Sequence, residues 1–244
     1  MNLLLLETCE LSGGGTAEAV LSPRHARHVR EVLRKEPGGT IRIGLRGGPL
    51  GTGTILSDGA DGLRLACEWS GAPSPRPRAD LVLALPRPKV LKRLWPVLGA
   101  VGAGRIDLTN AWKVEKPYFA SDALSEGVWR KGLAEGMEQA RSTWEPEVKI
   151  HKHLRELLED DIPSREPAAL LVADPGPGAE DVFAVAADLK RRNGRACVAI
   201  GPEGGWTEAE LGLFARLGWK KVSWGDGRIL RSDTAAAVFL AAFA

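Results

Sequence analysis

The sequence predicts two domains, a small β domain followed by an α/β domain with a parallel sheet. Three observations support this. Short segments of alternating apolar and polar residues, separated by glycines, fill the first 69 residues and are typical of a small barrel. From Asp80 onward, predicted strands and helices alternate, which favours a parallel sheet covered on both faces. Between them, the proline-rich stretch Ser70–Arg78 predicts an extended linker, because proline cannot join a β ladder. The predicted domains are therefore residues 1–72 and 79–244.

Composition places the chain among globular proteins. Its 244 residues can bury a sizeable core, and 44% of them are hydrophobic and 26% charged. No apolar run approaches the roughly 20 residues of a membrane span. The opening segment Met1–Glu7 has no basic region and its apolar run is too short for a signal peptide, so it predicts a strand and a cytoplasmic protein. With a net charge of only +2, any affinity for nucleic acid requires a local basic patch.

Cysteines and histidines do not form a metal-binding pattern. Three cysteines lie far apart with no C-x-x-C pair, which predicts reduced thiols: Cys9, Cys67 and Cys197. Two pairs of histidines have no acidic or cysteine ligands clustered beside them: His25 and His28, and His151 and His153. We therefore expect no metal.

The first domain is predicted to be mostly β. Its predicted strands are Leu3–Leu6, Thr40–Gly44, Gly51–Leu56 and Leu63–Trp69. One helix interrupts them, with Ser22 as its N-cap and Pro23 at its first position. Val29 and Leu33 are expected to face the core.

This helix carries a row of positive charge. Arg27, Arg30 and Arg34 have the spacing of residues on one helical face, and Arg24 precedes them. Such a row can bind a phosphate backbone. A solvent-exposed helix face has the same pattern, so the residues alone leave both interpretations open.

The second domain is predicted to alternate strands with helices. The predicted strands are Leu81–Leu85, Ile106–Leu108, Leu170–Ala173, Cys197–Ile200 and Val222–Trp224. The predicted helices are Lys89–Ala103, Glu126–Gln139, Ala179–Arg192, Thr207–Leu217 and Ser232–Phe243. Thr207 and Glu210 have the spacing of a capping box at the start of one of these helices.

Two predicted junctions between a strand and a helix contain glycines. The first is Gly201–Trp206 and the second is Gly227–Ala235, while the loop that begins at Asp174 is a third of the same kind. Ligands of parallel sheets bind beyond the carboxyl ends of the strands, so we expect these loops to form one pocket. No P-loop and no G-x-G-x-x-G motif is present, which disfavours a nucleoside triphosphate. Ordinary turn chemistry explains the glycines equally well.

The ordered pair of motifs resembles a known family. Ile200-Gly-Pro-Glu-Gly-Gly205 and Arg228-Ile-Leu-Arg-Ser-Asp-Thr-Ala235 are similar to the signature loops of RsmE-type SPOUT methyltransferases, which methylate N3 of a uridine in small-subunit ribosomal RNA. The similarity extends to Arg87–Lys89, Lys113–Lys116 and Glu138–Arg141. The family commonly has Arg-Thr-Glu-Thr-Ala where this chain has Arg-Ser-Asp-Thr-Ala.

The resemblance implies an architecture, a cofactor and partners. The expected fold is a PUA-like small β-barrel followed by a SPOUT α/β domain with a C-terminal trefoil knot. The expected cofactor is S-adenosyl-L-methionine, and the expected partners are ribosomal RNA or the assembled small subunit and a second copy of the chain. The residues expected to bind the cofactor are Asp174, Pro175, Gly201, Pro202, Glu203, Gly204, Gly205, Gly225, Ile229, Leu230, Arg231 and Ala235. Those expected to bind RNA are Arg24, Arg27, Arg30, Arg34, Lys89 and Arg141.

The resemblance also assigns catalytic residues, Arg231 and Thr234. A guanidinium cannot act as a base near neutral pH, but it can stabilise negative charge that develops on uracil. Alternatively, Arg231 forms an ion pair with Asp233 or Glu203. Thr234 either bonds the base or caps the final helix, and Glu203 either contacts the ammonium of the cofactor or braces the loop from another subunit.

A dimer is expected for a further reason. The final helix, 235–244, has Phe239 and Phe243 one turn apart among small residues, and this predicts an apolar face available to a second copy. Two other functions stay open at this stage. One is methylation of transfer RNA or of large-subunit ribosomal RNA. The other is a non-catalytic RNA-binding assembly factor.

Overall fold

The computed structural model describes residues 3–12 and 18–244, so Met1 and Asn2 of the predicted opening segment lie outside the described residues. Contacts between residues divide the chain into two compact units. Unit 1 consists of Met1–Pro75 and Ala134–Glu145, and unit 2 consists of Arg76–Leu133 and Pro146–Ala244. Residues 134–145 fall within the predicted second domain, whereas their contacts place these residues in unit 1.

Unit 1 is built on a six-stranded sheet with the strand order β1-β4-β5-β6-β3-β2. Strand β1 pairs parallel with β4, and the other neighbours are antiparallel. The strands are β1 (Leu4–Leu6), β2 (Leu11–Ser12), β3 (Glu18–Val20), β4 (Thr40–Leu45), β5 (Leu50–Gly59) and β6 (Gly62–Trp69). The four predicted strands of this region are confirmed, while the short β2 and β3 were missed because they lack a run long enough to show alternation.

Alternation along the strands builds the core of unit 1. Ile41 and Ile43 of β4 are buried while Arg42 between them is exposed, and β6 behaves in the same way. The helix α1 (Pro23–His28) packs onto this core, and Val29 is fully buried. The Ser22 side chain caps α1 as predicted, accepting a hydrogen bond from the His25 amide at 3.5 Å.

A buried carboxylate joins helix α1 to the end of a later helix within unit 1. Glu138 accepts hydrogen bonds from His25 Nε2 at 2.7 Å and from Arg24 Nη2 at 2.7 Å. The amide of Leu5 points at the same carboxylate, 3.4 Å from Oε1. His25 Nδ1 lies 3.7 Å from Glu10 Oε1, which is an ion-pair distance and not a hydrogen-bond distance. Glu138 is therefore a structural centre of unit 1.

Unit 2 is built on a seven-stranded, all-parallel sheet with the order β11-β13-β10-β12-β7-β8-β9. Three central strands are buried along their whole length, as expected for a parallel sheet covered on both faces. The strands are β7 (Ala79–Ala84), β8 (Arg105–Thr109), β9 (Glu147–His151), β10 (Ala169–Ala173), β11 (Glu180–Asp181), β12 (Ala196–Ile200) and β13 (Lys220–Ser223). The five predicted strands are present; β9 and β11 were missed.

Helices connect these strands. They are α2 (Pro88–Val101), α3 (Glu126–Ala140), α4 (Leu154–Glu156), α5 (Val182–Arg191), α6 (Glu208–Arg216) and α7 (Ser232–Ala241). Within unit 2, α2 approaches α3 so closely that a Cβ on Gly99 would lie 2.2 Å from the Leu133 carbonyl oxygen. A Cβ on Gly132 would lie 2.5 Å from Cβ of Trp95. Glycine is required at both positions because the neighbouring helix occupies the space of a side chain.

The final helix differs from its prediction in one respect. Phe239 and Phe243 of this segment are buried within the chain, at 4% and 5% exposure. The expectation that they form a free apolar face for a second copy is therefore wrong, because α7 packs against α2, β7 and β12 of its own unit.

Candidate functional site

One pocket of unit 2 lies where β10, β12 and β13 end. It contains about 630 Å³ of space outside the protein atoms, part of it open to solvent. Both predicted motif loops border it. The lining residues are Ala173, Asp174, Pro175, Ile200, Gly201, Pro202, Glu203, Gly205, Trp206, Val222, Ser223, Trp224, Arg228, Ile229, Leu230, Ser232, Ala235 and Phe239.

The first loop is held rigidly by the helix that follows it. The Gly205 amide donates to the Pro202 carbonyl at 2.8 Å, and Gly205 has φ +69°, a conformation that favours glycine. The predicted capping box is confirmed: the Thr207 amide donates to Glu210 Oε2 at 2.7 Å, and the Glu210 amide donates to Thr207 Oγ1 at 3.3 Å. The loop therefore presents a preformed backbone to the pocket.

Trp206 supplies an unused hydrogen-bond donor at this pocket. Its ring is 7% exposed and packs edge-on against Phe214, with ring centroids 4.9 Å apart. Its indole Nε1 is buried and has no hydrogen-bond partner among the described residues. Since buried donors are almost always paired, this one fits a bound ligand. Trp206 belongs to the first motif loop but was not among the predicted binding residues.

Glu203 and Gly204 face other elements of unit 2. Glu203 Oε1 accepts a hydrogen bond from the Arg87 amide at 3.1 Å, at the start of α2. Gly204 does not line the pocket, and its carbonyl accepts a hydrogen bond from Lys113 Nζ at 2.6 Å. Gly204 therefore lies outside the lining of this pocket, with its carbonyl turned toward the loop after β8, and its role in cofactor binding stays a prediction.

The second loop contributes apolar residues and one cation. Ile229 is 90% exposed at the pocket, Leu230 and Ala235 line it, and Arg228 lies over the Trp224 ring, 5.9 Å from its centroid. Gly225 does not line the pocket, contrary to expectation, although its φ of +60° makes it a turn glycine.

Asp174 and Pro175 line the pocket as predicted, and Asp174 is paired with Lys221 Nζ at 2.9 Å. Five further lining residues were not among the predicted ones: Ser223, Trp224, Arg228, Ser232 and Phe239. Arg228 and Ser232 belong to the second motif and the other three lie before or after it, and only the fold shows that all five reach the same space.

The two predicted catalytic residues lie beside the pocket at the start of α7. Arg231 is the N-cap residue and does not line the pocket; its side chain is 70% exposed, and Nε lies 3.6 Å from Asp233 Oδ1. The ion pair with Asp233, which was the alternative interpretation of Arg231, is present. Thr234 is exposed, and its amide donates to Asp233 Oδ1 at 2.9 Å. Because the N-cap is Arg231, Thr234 does not cap the final helix.

The predicted row of arginines in unit 1 is broken by the backbone. The α-helical turn ends at His28, a π-helical segment covers Val29–Leu33, and Arg34 follows with φ 50°. Arg27, Arg30 and Arg34 therefore do not share one α-helical face, since wider π turns and a left-handed residue change the spacing.

Individual arginines of that row have different surroundings. Arg24 is paired with Glu138, and Arg30 Nε donates to Asp58 Oδ2 at 2.8 Å. Within the described part of the chain, Arg27 and Arg34 have no carboxylate at ion-pair distance. Two other predicted RNA-binding residues are exposed: Lys89 on α2, and Arg141 after α3 with φ 58°.

Within residues 3–12 and 18–244, no group of three or more His, Cys, Asp or Glu side chains is arranged to hold a metal ion. His25 bonds Glu138, and His151 Nε2 lies 2.9 Å from Asp107 Oδ1. None of the helices described is both long and apolar enough to cross a membrane. The three cysteines are free thiols.

An all-parallel sheet with a glycine-lined pocket at its strand ends defines unit 2 as an α/β ligand-binding domain. Residues 72–244 match the RNA methyltransferase domain family, and the chain belongs to that family.

Relatives and solved structures agree with this assignment. The chain is 29% identical over 244 residues to ribosomal RNA small subunit methyltransferase E of Treponema pallidum (strain Nichols), covering 97% of this chain and 88% of the relative. It is 28% identical over 232 residues to the protein of that name from Synechocystis sp. (strain ATCC 27184 / PCC 6803 / Kazusa), covering 92% of this chain and 72% of the relative.

Its fold is similar to that of ribosomal RNA small subunit methyltransferase E from Neisseria gonorrhoeae, solved bound to S-adenosyl methionine. The TM-score is 0.75 at 20% identity, covering 99% of this chain and 96% of that one. A Legionella pneumophila protein solved with the bound cofactor SAM has a TM-score of 0.73 at 18% identity, covering 99% and 96%. The resemblance drawn from the two motifs is thereby confirmed.

Proposed function

We propose that this chain transfers a methyl group from S-adenosyl-L-methionine to N3 of a uridine in 16S ribosomal RNA of the small ribosomal subunit. One observation carries the proposal: both motif loops, Gly201–Trp206 and Arg228–Ala235, border a single pocket at the ends of parallel strands. Membership in the RNA methyltransferase family and the names of the relatives support the reaction and the substrate.

The pocket fits this cofactor in three respects. It lies at the carboxyl ends of parallel strands, where such sheets bind their ligands. The buried indole N–H of Trp206 needs an acceptor, which an adenine ring or a carboxylate provides. Asp174 and Glu203 are among the residues that line the pocket, and a carboxylate suits an ammonium group; Asp174 also pairs with Lys221, and Glu203 also accepts from the Arg87 amide. S-adenosyl-L-methionine bound here supplies a methyl group already activated by the positive sulfonium.

The residues of the chain would then position the base and stabilise charge. Gly201, Pro202, Gly205, Leu230 and Ala235 would hold the cofactor through backbone and apolar contacts. Arg231, beside the pocket and largely exposed, would stabilise the uracil oxygens as N3 loses its proton. Asp233 keeps this guanidinium near the helix start when no substrate is bound.

We further propose the finer fold that the family implies. The segments after β12 and β13 would form a trefoil knot, and residues 1–72 would form a PUA-like barrel followed by a linker at about 70–78. Glycine loops bordering one pocket and a six-stranded, mainly antiparallel sheet in unit 1 support these assignments.

A homodimer acting in the cytoplasm, on ribosomal RNA or the assembled small subunit, completes the proposal. Its support is the family resemblance, together with the 90% exposure of Ile229 beside the pocket. Light scattering on the purified chain decides the dimer. A monomer with full activity would contradict it.

The function is tested with ribosomal RNA and small subunits from cells that lack this chain. We expect transfer of labelled methyl from S-adenosyl-L-methionine, and mass mapping should place it on N3 of one uridine in 16S RNA. Transfer RNA and large-subunit RNA serve as competing substrates. Methylation of either of these alone would replace the proposed substrate, and cofactor binding without any transfer would indicate a non-catalytic RNA-binding factor.

A pair of glycine variants tests the cofactor loop. Gly205→Val should weaken cofactor binding by roughly tenfold or more, because a β-branched residue is strained at φ +69° and would shift the loop. Gly204→Val is the matched control: its Cβ meets Cδ of the flexible Lys113 side chain, which can move away. Titration calorimetry measures both. Equal affinities in the two variants and the wild type would show that these glycines serve the turn alone.

A double variant tests RNA binding by unit 1. Arg27→Gln combined with Arg34→Gln should reduce the slope of log affinity against log salt by about 1.5, since each lost phosphate contact removes roughly 0.7–0.9 of counterion release. Arg30→Gln should have a smaller effect, because Arg30 is paired with Asp58. An unaltered slope in the double variant would place the phosphate contacts elsewhere.

A further inference from the structure

A second groove of unit 2 lies beyond the carboxyl ends of β8 and β9. It is bordered by the loops after these strands and by α6, and it contains about 1880 Å³ of space including its open side. We call it the Trp112 groove, after the exposed tryptophan on its rim. None of the residues that line it was among the predicted binding residues.

The groove is strongly basic. One carboxylate, that of Glu210, is among the residues that line it. The basic residues that line it are Lys116, Lys152, His153, Arg155 and Arg216. Glu210 is already engaged: Oε2 accepts from Thr207, and Oε1 accepts from the Trp112 amide at 2.8 Å.

Most of these cations have no carboxylate partner. Arg155 is the exception, because its Nε lies 3.9 Å from Glu159 Oε1, which is an ion-pair distance. Within residues 3–12 and 18–244, Lys116, Lys152 and Arg216 have no carboxylate at ion-pair distance. The groove thus has a positive charge that the chain itself does not neutralise.

Trp112 stands on this basic surface with 85% of its area exposed. Its loop is not loose: Ala111 and Val114 on either side are buried, and the Val114 amide donates to the Ala111 carbonyl at 3.0 Å. Its neighbour Lys113 bonds the Gly204 carbonyl. A ring that is 85% exposed buries little area within the chain, and on an anchored turn beside basic side chains it has the arrangement of a base-stacking platform.

The groove adjoins the proposed methyl-transfer pocket. Trp206 lines the pocket and the next residue, Thr207, lines the groove. The bond from Lys113 to Gly204 joins the Trp112 loop to the cofactor loop a second time. The groove and the pocket therefore lie next to each other along the cofactor loop.

We propose that the Trp112 groove binds a single-stranded segment of the RNA substrate, with a base stacked on Trp112 and phosphates on Lys116, Lys152 and Arg216. This inference rests on the proposed function. Charge favours RNA over a second copy of the chain. A two-fold contact centred on the groove would set the same positive surface against itself, whereas phosphates neutralise it.

The experiment uses the full chain and a labelled 20-nucleotide single-stranded RNA of mixed sequence. Trp112→Ala should weaken binding by about tenfold or more, and Trp112→Phe should restore most of the affinity. Lys152→Gln with Arg216→Gln should lower the salt slope by about 1.4. Lys190→Gln with Arg191→Gln, an exposed charge-matched pair on α5, should leave the slope unchanged.

Cofactor affinity, measured on the same samples, should not change in any variant. Wild-type RNA affinity and salt slope in both groove variants would overturn the inference. So would light scattering that shows Trp112→Ala dissociating a dimer, with RNA affinity lost only through that dissociation. A wild-type chain that binds RNA through the groove but transfers no methyl group would instead contradict the proposed function while the groove assignment stands.

Discussion

Glu138→Ala is expected to lower the free energy of unfolding by about 3–5 kcal/mol, the loss typical of removing one partner of a buried ion pair. Glu138 is fully buried and accepts hydrogen bonds from His25 and Arg24. Without it, the buried His25 ring loses its strong acceptor, and Arg24 loses the partner that orders its side chain. Since small proteins are stable by roughly 5–15 kcal/mol in total, unit 1 should unfold at clearly lower denaturant concentrations. Urea unfolding followed by circular dichroism measures this.

Glu135→Ala is the matched control, because Glu135 lies one turn earlier on the same helix and is exposed. It should change stability by less than about 0.5 kcal/mol. Similar losses in the two variants would mean that the helix is sensitive to any substitution and that the carboxylate has no special role.

The same ion pair should make stability depend on pH. Burial lowers the pKa of His25, but the carboxylates of Glu10 and Glu138 raise this pKa by more than burial lowers it. The pKa of His25 is therefore raised to about 9. Burial raises the pKa of Glu138, while His25 and Arg24 hold it below the usual value. A raised histidine pKa stabilises the fold fully below the ordinary value of 6.5, and this contribution is lost as pH rises through about 9.

The lowered pKa of Glu138 acts at the other end of the pH scale. Its contribution is present above the ordinary value of 4.5 and is lost as pH falls below it.

The wild type should therefore lose stability between about pH 6.5 and 9, and Glu138→Ala should flatten that slope. An equally steep decline in the variant would show that another group titrates.

Arg231→Ala is expected to reduce single-turnover methylation by on the order of a hundredfold, with little change in cofactor affinity. The geometry supports this separation, because Arg231 lies beside the pocket without lining it and its side chain is 70% exposed. A guanidinium that contacts only the base and its developing charge would affect the chemical step and leave cofactor binding intact. Rapid-quench methylation and cofactor titration measure the two effects.

Two further variants sharpen the test of Arg231. Arg231→Lys keeps the charge but loses the planar fork, so it should recover only part of the rate. Arg228→Ala should show the opposite pattern, with weaker cofactor binding, because Arg228 lines the pocket. Normal methylation by Arg231→Ala would limit Arg231 to its ion pair with Asp233.

Local sequence signals predicted local structure well. Thr207 and Glu210 form the capping box that their spacing indicated, and Ser22 caps its helix. Such features depend on a few neighbouring residues, so the chain needs no distant partner to form them. The prediction that the arginines share one helical face was wrong for a related reason. A π-helical segment after His28 changes the spacing of these side chains, and no residue in the segment marks that change.

The sequence by itself determined the class of fold and the two motif loops, since strand alternation and turn glycines are properties of short segments. The family resemblance of those loops, and not their periodicity, pointed to nine of the residues that line the pocket. Only the tertiary structure decided what distant segments do together. It buried Glu138 against His25, more than a hundred residues away, turned Gly204 toward Lys113, and packed Phe239 inside the chain. It also gathered the Trp112 groove from segments separated by about forty to sixty residues. The physical reason is that burial and charge pairing depend on neighbours in space, and the order of strands in the sheet selects those neighbours.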